Sequence, residues 1–174
     1  MEPIVLGYTK PDSHVAVDFS AARNRAFFND VVAFLLGRDN DLLSFSEVQR
    51  DLRLCAQWYI GVRPVEVTKI VGSANRHQDF DRSFLPRHAH SAERWTRVHR
   101  AYHERVSLPP PLLLKVGNFY FVYDGHHRTS VARAHGVATI EADVIEYDTH
   151  APLSDNSRLS TYNRNSYQEE HGSI

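Results

Sequence analysis

The stretch from Phe119 to Gly136 reads FYFVYDGHHRTSVARAHG. An apolar, aromatic run stops at Asp124-Gly125, and His126, His127 and Arg128 follow at once. Residues of these types, in this order, suit an anion. A helix opening at Gly125 or His126 exposes unpaired backbone N–H groups and the positive end of its dipole. Such an end attracts phosphate. Gly125 has no Cβ, so a phosphate can approach the main chain closely. Arg128 sits in the first turn, where its planar fork offers two hydrogen bonds to phosphate oxygens. His126 and His127 add a donor or exchange a proton near neutral pH, as a general acid or base must. Asp124 and Thr129 flank this phosphate-binding set. The same residues also admit a plainer reading. Asp124 is a good helix N-cap, Gly125 is turn chemistry, and Arg128 can pair with a carboxylate. His127 shares the spacing of Ser130, Val131 and Ala134, so it can face the core.

Weaker signals lie outside this turn. Asp79 and Asp81, in DFD, offer hard oxygen ligands for Mg²⁺ beside a triphosphate, although such aspartates commonly serve in turns. Arg76, Arg82 and Arg87 fall in the same loop, within reach of phosphates or DNA, or on a solvated face. Glu66 is a candidate base. His99 and His103 lie four apart on one helical face, near His88-Ala89-His90. Without a cysteine pair or an HExxH motif, the expectation is no tightly held zinc. Cys55, the single cysteine, excludes an intrachain disulfide. It is expected to pack as a small apolar group.

These residues must be placed by secondary structure. A helix is expected from Asp18 or Ser20 to Gly37, with Phe27, Phe28, Val31, Val32, Leu35 and Leu36 as its apolar face. Ser44-x-x-Glu47 fits a capping box, with Leu43 and Val48 as its hydrophobic staple. Near Pro64 the pattern turns β-like, in VRPVEVTKIVGS. A long irregular stretch from Gly72 to His90 follows, of the kind that is commonly functional or disordered. Ser91 opens a helix with Trp95, Val98, Tyr102 and Val106 on one side. LLLKV, Gly117-Asn118 and FYFVY read as a hairpin. The helix after Gly125 ends at Gly136, a suitable C′ residue. Ile140, Ala142 and Val144 alternate with Glu141 and Asp143 in a closing half-buried strand. The order β, α, β, β, α, β predicts an α/β or α+β fold with a mixed sheet over residues 61–148. Residues 1–60 are read as a helical N-terminal extension, and 149–174 as a polar tail.

Composition limits the functional classes. The chain has 174 residues, 42% of them hydrophobic, so it should bury a core. A net charge of −1 argues against a broad nucleic-acid footprint and leaves at most a local basic patch. No apolar run approaches the roughly 20 residues of a membrane span, and the N-terminus lacks an export signal. The expected setting is a reducing cytoplasm, without membrane association.

The run VYDGHHRTSVARAHGVATIEADVIEY, preceded by VTKIVGSANR, resembles the ParB/sulfiredoxin superfamily. The resemblance covers roughly residues 61–148, and the tetrad Gly125-His126-His127-Arg128 is its specific part. It implies a strand leading to a Gly-x-x-Arg turn that binds nucleotide phosphates, with Gly125, His127 and Arg128 as phosphate contacts. The family's catalytic cysteine, where present, falls at His126, so sulfiredoxin's own thiol chemistry is not expected. The implied ligand is a nucleoside triphosphate, ATP or CTP, with Mg²⁺. The implied function is that of a nucleotide hydrolase, phosphotransferase or nucleotide switch. An alternative is a DNA-associated, partition-like or metal-dependent nuclease-like protein. A third is a non-catalytic protein-binding or toxin–antitoxin module. Weak DNA binding, a homodimer or a protein partner are compatible with all of these.

Overall fold

A computed structural model of the chain describes residues 19–149. The expectations for the N-terminal segment before Phe19, and for nearly all of the polar tail, lie outside the described residues. Six strands form one mixed sheet: β1 (Leu43–Ser44), β2 (Leu54–Glu66), β3 (Ile70–Ser73), β4 (Leu112–Val116), β5 (Phe119–Asp124) and β6 (Thr139–Thr149). Four helices accompany it: α1 (Phe19–Leu35), α2 (Phe45–Asp51), α3 (Ala92–His103) and α4 (His126–Ala134). The strand order is β1-β3-β5-β4-β6-β2. β3 runs parallel to β5, β4 runs antiparallel to β5 and parallel to β6, and β2 runs antiparallel to β6.

The local patterns explain most of these elements. β4 and β5 form the expected hairpin around Gly117-Asn118, and Gly117 takes the positive φ of 59° that the tight turn demands. In β6, Ile140, Ala142 and Val144 are buried while Glu141, Asp143 and Ile145 are only partly so, the period-2 signature of a strand. The run VRPVEVTKIVGS, which reads as a single β segment, divides. β2 ends at Glu66, a single 3-10 turn spans Val67–Lys69, and β3 begins at Ile70. The two halves reach opposite sides of the sheet, because β5, β4 and β6 lie between β3 and β2.

The span read as a helical extension supplies more than helices. It contributes β1, α2 and the first half of β2 to the common sheet. Phe45, Val48 and Leu52 pack with Val71, Leu114, Val116 and Phe121 in one core cluster. Cys55 falls on β2 and is exposed, contrary to the expectation of a packed thiol. α2 starts where the capping box places it, but the Ser44 side chain makes no cap hydrogen bond and meets the Ser46 hydroxyl at 2.9 Å instead.

α1 reverses its expected orientation. Its buried residues are Ala22 and Ala26, which pack with Leu85, Trp95, Val131 and Ala134. Phe27, Phe28, Phe34 and Leu35 are exposed, Phe34 to 83%. Small side chains let α1 approach α3 and α4 closely, and a second core of bulky residues already exists beneath the sheet. That main cluster joins Val65, Ile70, Leu113, Val122, Ala142 and Val144 with Phe80 and Phe84 from the long loop.

The loop from 74 to 88 is therefore neither disordered nor draped. Phe80, Phe84 and Leu85 are buried in it, and Asp81 is its staple. The Asp81 carboxylate accepts from Asn29 Nδ2 at 2.9 Å and from the Leu85 N–H at 2.7 Å. Arg87 donates to Asp30 at 2.6 Å, to Asp41 at 2.5 Å and to the Asn40 carbonyl at 2.9 Å, tying the loop to α1 and the segment after it.

Candidate functional site

Two parallel strands, β3 and β5, end side by side, with Ser73 opposite Val122. α4 opens directly after β5, so its N-terminus stands beside the carboxyl end of β3. This is where open α/β sheets place ligands. Gly125 is the N-cap, with φ 92° and ψ 24°, a left-handed conformation that only glycine adopts cheaply. The intrahelical ladder begins with the Thr129 N–H donating to the Gly125 carbonyl at 3.0 Å. The amides of His126, His127 and Arg128 precede that first bond and form the positive end of the helix.

His126 is buried, and its Nε2 lies 2.8 Å from Ser73 Oγ. Ser73 Oγ also accepts the N–H groups of Asn75, at 3.3 Å, and Arg76, at 2.9 Å. With two donors already aimed at its oxygen, the serine proton goes to His126 Nε2, which places the imidazole proton on Nδ1. Ser73 thus pins the start of α4 to the end of β3. The ring of His126 also stacks on Phe80, 6.1 Å away and 16° from parallel.

His127 is 9% exposed. Its Nε2 lies 3.2 Å from Arg76 Nη1, and since a guanidinium only donates, the imidazole accepts. The same guanidinium donates from Nε to Asp79 at 2.6 Å and lies 5.7 Å over the Phe80 ring. His127 Nδ1 and Thr129 Oγ1 are buried without a hydrogen-bond partner among the described residues.

Burial lowers His126 to about 4, helped by the positive charge of Arg76 and by His127. Burial likewise lowers His127 to about 4, with Arg76 and Arg94 adding to the effect and Asp79 opposing it. Both rings are neutral at pH 7. The expectation that they exchange protons near neutral pH is corrected accordingly: they act as fixed hydrogen-bonding groups.

Gly125 and Arg128 also differ from expectation. A Cβ on Gly125 would lie 2.6 Å from Pro111 Cβ, 2.9 Å from Pro111 Cα and 2.9 Å from Arg128 Nε. The space that glycine vacates is filled by the chain itself. Arg128 donates from Nη1 to the carbonyls of Pro109 and, at 3.3 Å, Pro110, and from Nη2 to Asp124 at 2.7 Å. Its fork holds the proline loop against the turn. Asp124, expected as an N-cap, is the last residue of β5 and pairs with Arg128 across one helical turn.

Three further expectations are corrected. Asp79 is engaged by Arg76, and Asp81 is the buried loop staple already described, so DFD does not present two carboxylates to one Mg²⁺. Glu66 pairs with Lys69 at 2.6 Å on β2, separated from β5 by β4 and β6. It is not part of the site. Arg76 does join His127, although 50 residues separate them in the chain. Ser73, Arg94 and the Pro109–Pro111 loop are members that sequence reasoning missed. Ser73 falls within VTKIVGSANR, the segment that precedes the resemblance, but nothing there singled it out.

The chain matches no protein-family model and no curated protein. Among solved structures it is similar to the crystal structure of sulfiredoxin from Arabidopsis thaliana, at 16% identity and a TM-score of 0.35. That similarity covers 48% of this chain and 82% of the other.

Proposed function

We propose that the N-terminal turn of α4 binds the phosphates of a nucleoside triphosphate, ATP or CTP. The observation that carries this reading is the Arg76–His127 pair. A guanidinium and a nine-tenths-buried imidazole meet beside three helix-opening amides, and His127 Nδ1 has no hydrogen-bond partner among the described residues. A buried donor without a partner is uncommon in folded proteins. Arg76, Arg94 and the helix end make the surroundings positive, with Asp79 opposing them at His127 and Asp124 and Asp79 opposing them at His126. Phosphate satisfies both the donors and the field. The resemblance of Gly125-His126-His127-Arg128 to the Gly-x-x-Arg turn implies the same class of ligand.

The roles follow from the contacts. The amides of His126, His127 and Arg128, with Arg76 and His127, hold the phosphates. Arg128 and Asp124 position the turn, and Ser73 orients His126. Asp79 and Asp81 have other partners, so neither is free to hold Mg²⁺ here. Any Mg²⁺ accompanies the nucleotide on its own phosphate oxygens. With both histidines acting as fixed hydrogen-bonding groups and the Asp124 carboxylate paired with Arg128, the geometry favours a nucleotide switch over a hydrolase.

A melting-temperature screen with ATP, CTP, GTP and ADP, with and without Mg²⁺, tests the reading, followed by calorimetric titration. A triphosphate should bind, and Arg76→Ala should weaken it about 10- to 150-fold, the loss of one charge-assisted contact worth roughly 1.5–3 kcal/mol. Failure of every nucleotide to stabilise the protein, or an Arg76→Ala variant that binds as the parent does, overturns it.

A further inference from the structure

At the opposite end of α4, a third histidine joins the pair expected from sequence. His99 and His103 lie in the last turns of α3, four residues apart on one face. His135 is the C-cap of α4. The structure brings one ligating nitrogen from each within 4.8 Å of the other two. His99 Nε2 and His103 Nε2 are 3.2 Å apart. His135 Nε2 is buried and has no hydrogen-bond partner among the described residues.

We propose that His99, His103 and His135 form a binding site for a divalent transition-metal ion of the zinc class, joining α3 to α4. Nitrogens bound to tetrahedral zinc at about 2.0–2.1 Å lie about 3.3 Å from one another. The His99–His103 separation already equals that edge. Bringing His135 onto the same ion needs a ring movement on the order of 1 Å. Three imidazoles make a nitrogen donor set, which selects Zn²⁺, Ni²⁺ or Cu²⁺ over Mg²⁺ or Ca²⁺. Three protein ligands leave a fourth position for solvent, on the side of the exposed His103.

Two independent features support the site. α3 and α4 both end at this cluster, and the negative ends of two helix dipoles favour a cation between them. The rings are also held in place. His99 stacks on Trp95 at 5.0 Å, and His135 stacks on Tyr102 at 4.3 Å. An apolar wall of this kind orients ligands and excludes competing water. A hydrogen bond between His99 and His103 accounts for their 3.2 Å contact but leaves His135 Nε2 unsatisfied, whereas one ion serves all three. The expectation of no tight zinc weighed only two of these residues. The site is independent of the phosphate reading, since it lies at the other end of α4.

The test is titration of Zn²⁺ into untagged full-length protein after removal of metal with a chelator, with melting curves in parallel. One Zn²⁺ per chain should bind saturably, and a hundredfold excess over Kd should raise Tm by about 5–10 °C. His103→Ala and His135→Ala should each weaken binding at least about tenfold. His90→Ala, which removes a histidine from the separate His88–His90 stack, should change nothing. His103 is exposed, so its variant should fold and decide the matter even if His135→Ala does not. Absence of saturable binding, or unchanged affinity in His103→Ala, overturns the proposal.

Discussion

Gly125→Ala is the most direct test of how the turn is built. Two costs are expected there. Its φ of 92° lies in the left-handed region, which costs an L-residue about 1–2 kcal/mol. The added Cβ would then sit 2.6 Å from Pro111 Cβ and 2.9 Å from Pro111 Cα. Those atoms belong to a rigid ring and the main chain, so they cannot rotate away. Forcing a methyl into packed space costs typically about 1–3 kcal/mol more. The protein contains its own control. Gly136 has a φ of 64°, and nothing lies within 4 Å of the Cβ it would gain. Gly136→Ala therefore carries only the first cost. Urea unfolding should show Gly125→Ala less stable than the parent by about 2–5 kcal/mol, and less stable than Gly136→Ala by about 1–3 kcal/mol. If the two variants lose the same amount, the close seating of Pro111 on Gly125 is wrong, and the turn is as open as the sequence alone implied.

Three other outcomes are expected. Arg128→Ala should lower stability by about 1.5–3 kcal/mol, because the Pro109 and Pro110 carbonyls lose a charged donor; a neutral result in a denaturant melt counts against that anchoring. Stability should depend on pH through His126 and His127. Both have a folded-state pKa of about 4, below the usual 6.5, so their contribution is complete above pH 6.5 and is lost as pH falls toward 4. The His126 part alone reaches roughly 3 kcal/mol, and His126→Gln should flatten the curve; a flat parent profile between pH 6.5 and 4 refutes the buried, neutral ring. Phe34→Glu should cost under about 0.5 kcal/mol, since that side chain is 83% exposed; a loss of several kcal/mol shows that α1 buries the face its sequence suggests.

Local patterns were legible where a single period or a single residue type decides. The hairpin, the alternation of β6, the Gly125 start of α4 and the Trp95, Val98 and Tyr102 face of α3 could be read directly, whereas Val106, expected on that face, lies past the helix end and is exposed. What failed depends on contacts between distant segments. α1 presents two possible faces, and hydrophobicity favours the one with Phe27 and Phe28. The fold chooses Ala22 and Ala26, because helix approach distance against Trp95 and Val131 decides, and no local count contains it. The break between β2 and β3 was hidden because both halves are β-branched and apolar. In the site, Gly125 and the two histidines were visible as types, but not what would fill the space around them. The three prolines at 109–111 dictate an extended path, and they are the wall against which Gly125 and Arg128 close. Arg76 is near His127 only because β3 and β5 are parallel neighbours.

α4 shows why a cap and a site are hard to separate in this chain. Seven of its nine residues are buried, and His126, His127, Thr129 and Ser130 are among them. So short a helix with so many polar groups inside cannot be held by apolar area alone. Its polar groups are met one by one. Ser73 answers His126, Arg76 answers His127 Nε2, and Trp95 Nε1 donates to Ser130 Oγ at 3.0 Å. Arg133 donates to the Ile70 carbonyl at 3.0 Å. These bonds fix the helix, so they are the structural part of the answer. Among the groups left over, within the described residues, are His127 Nδ1 and Thr129 Oγ1 in the first turn and His135 Nε2 at the C-cap. A buried polar atom without a partner is costly, on the order of 1–3 kcal/mol. The two proposals, a phosphate at one end of α4 and a cation at the other, would each give such groups a partner. The positive end is suited to phosphate and the negative end to a cation, as the dipole requires.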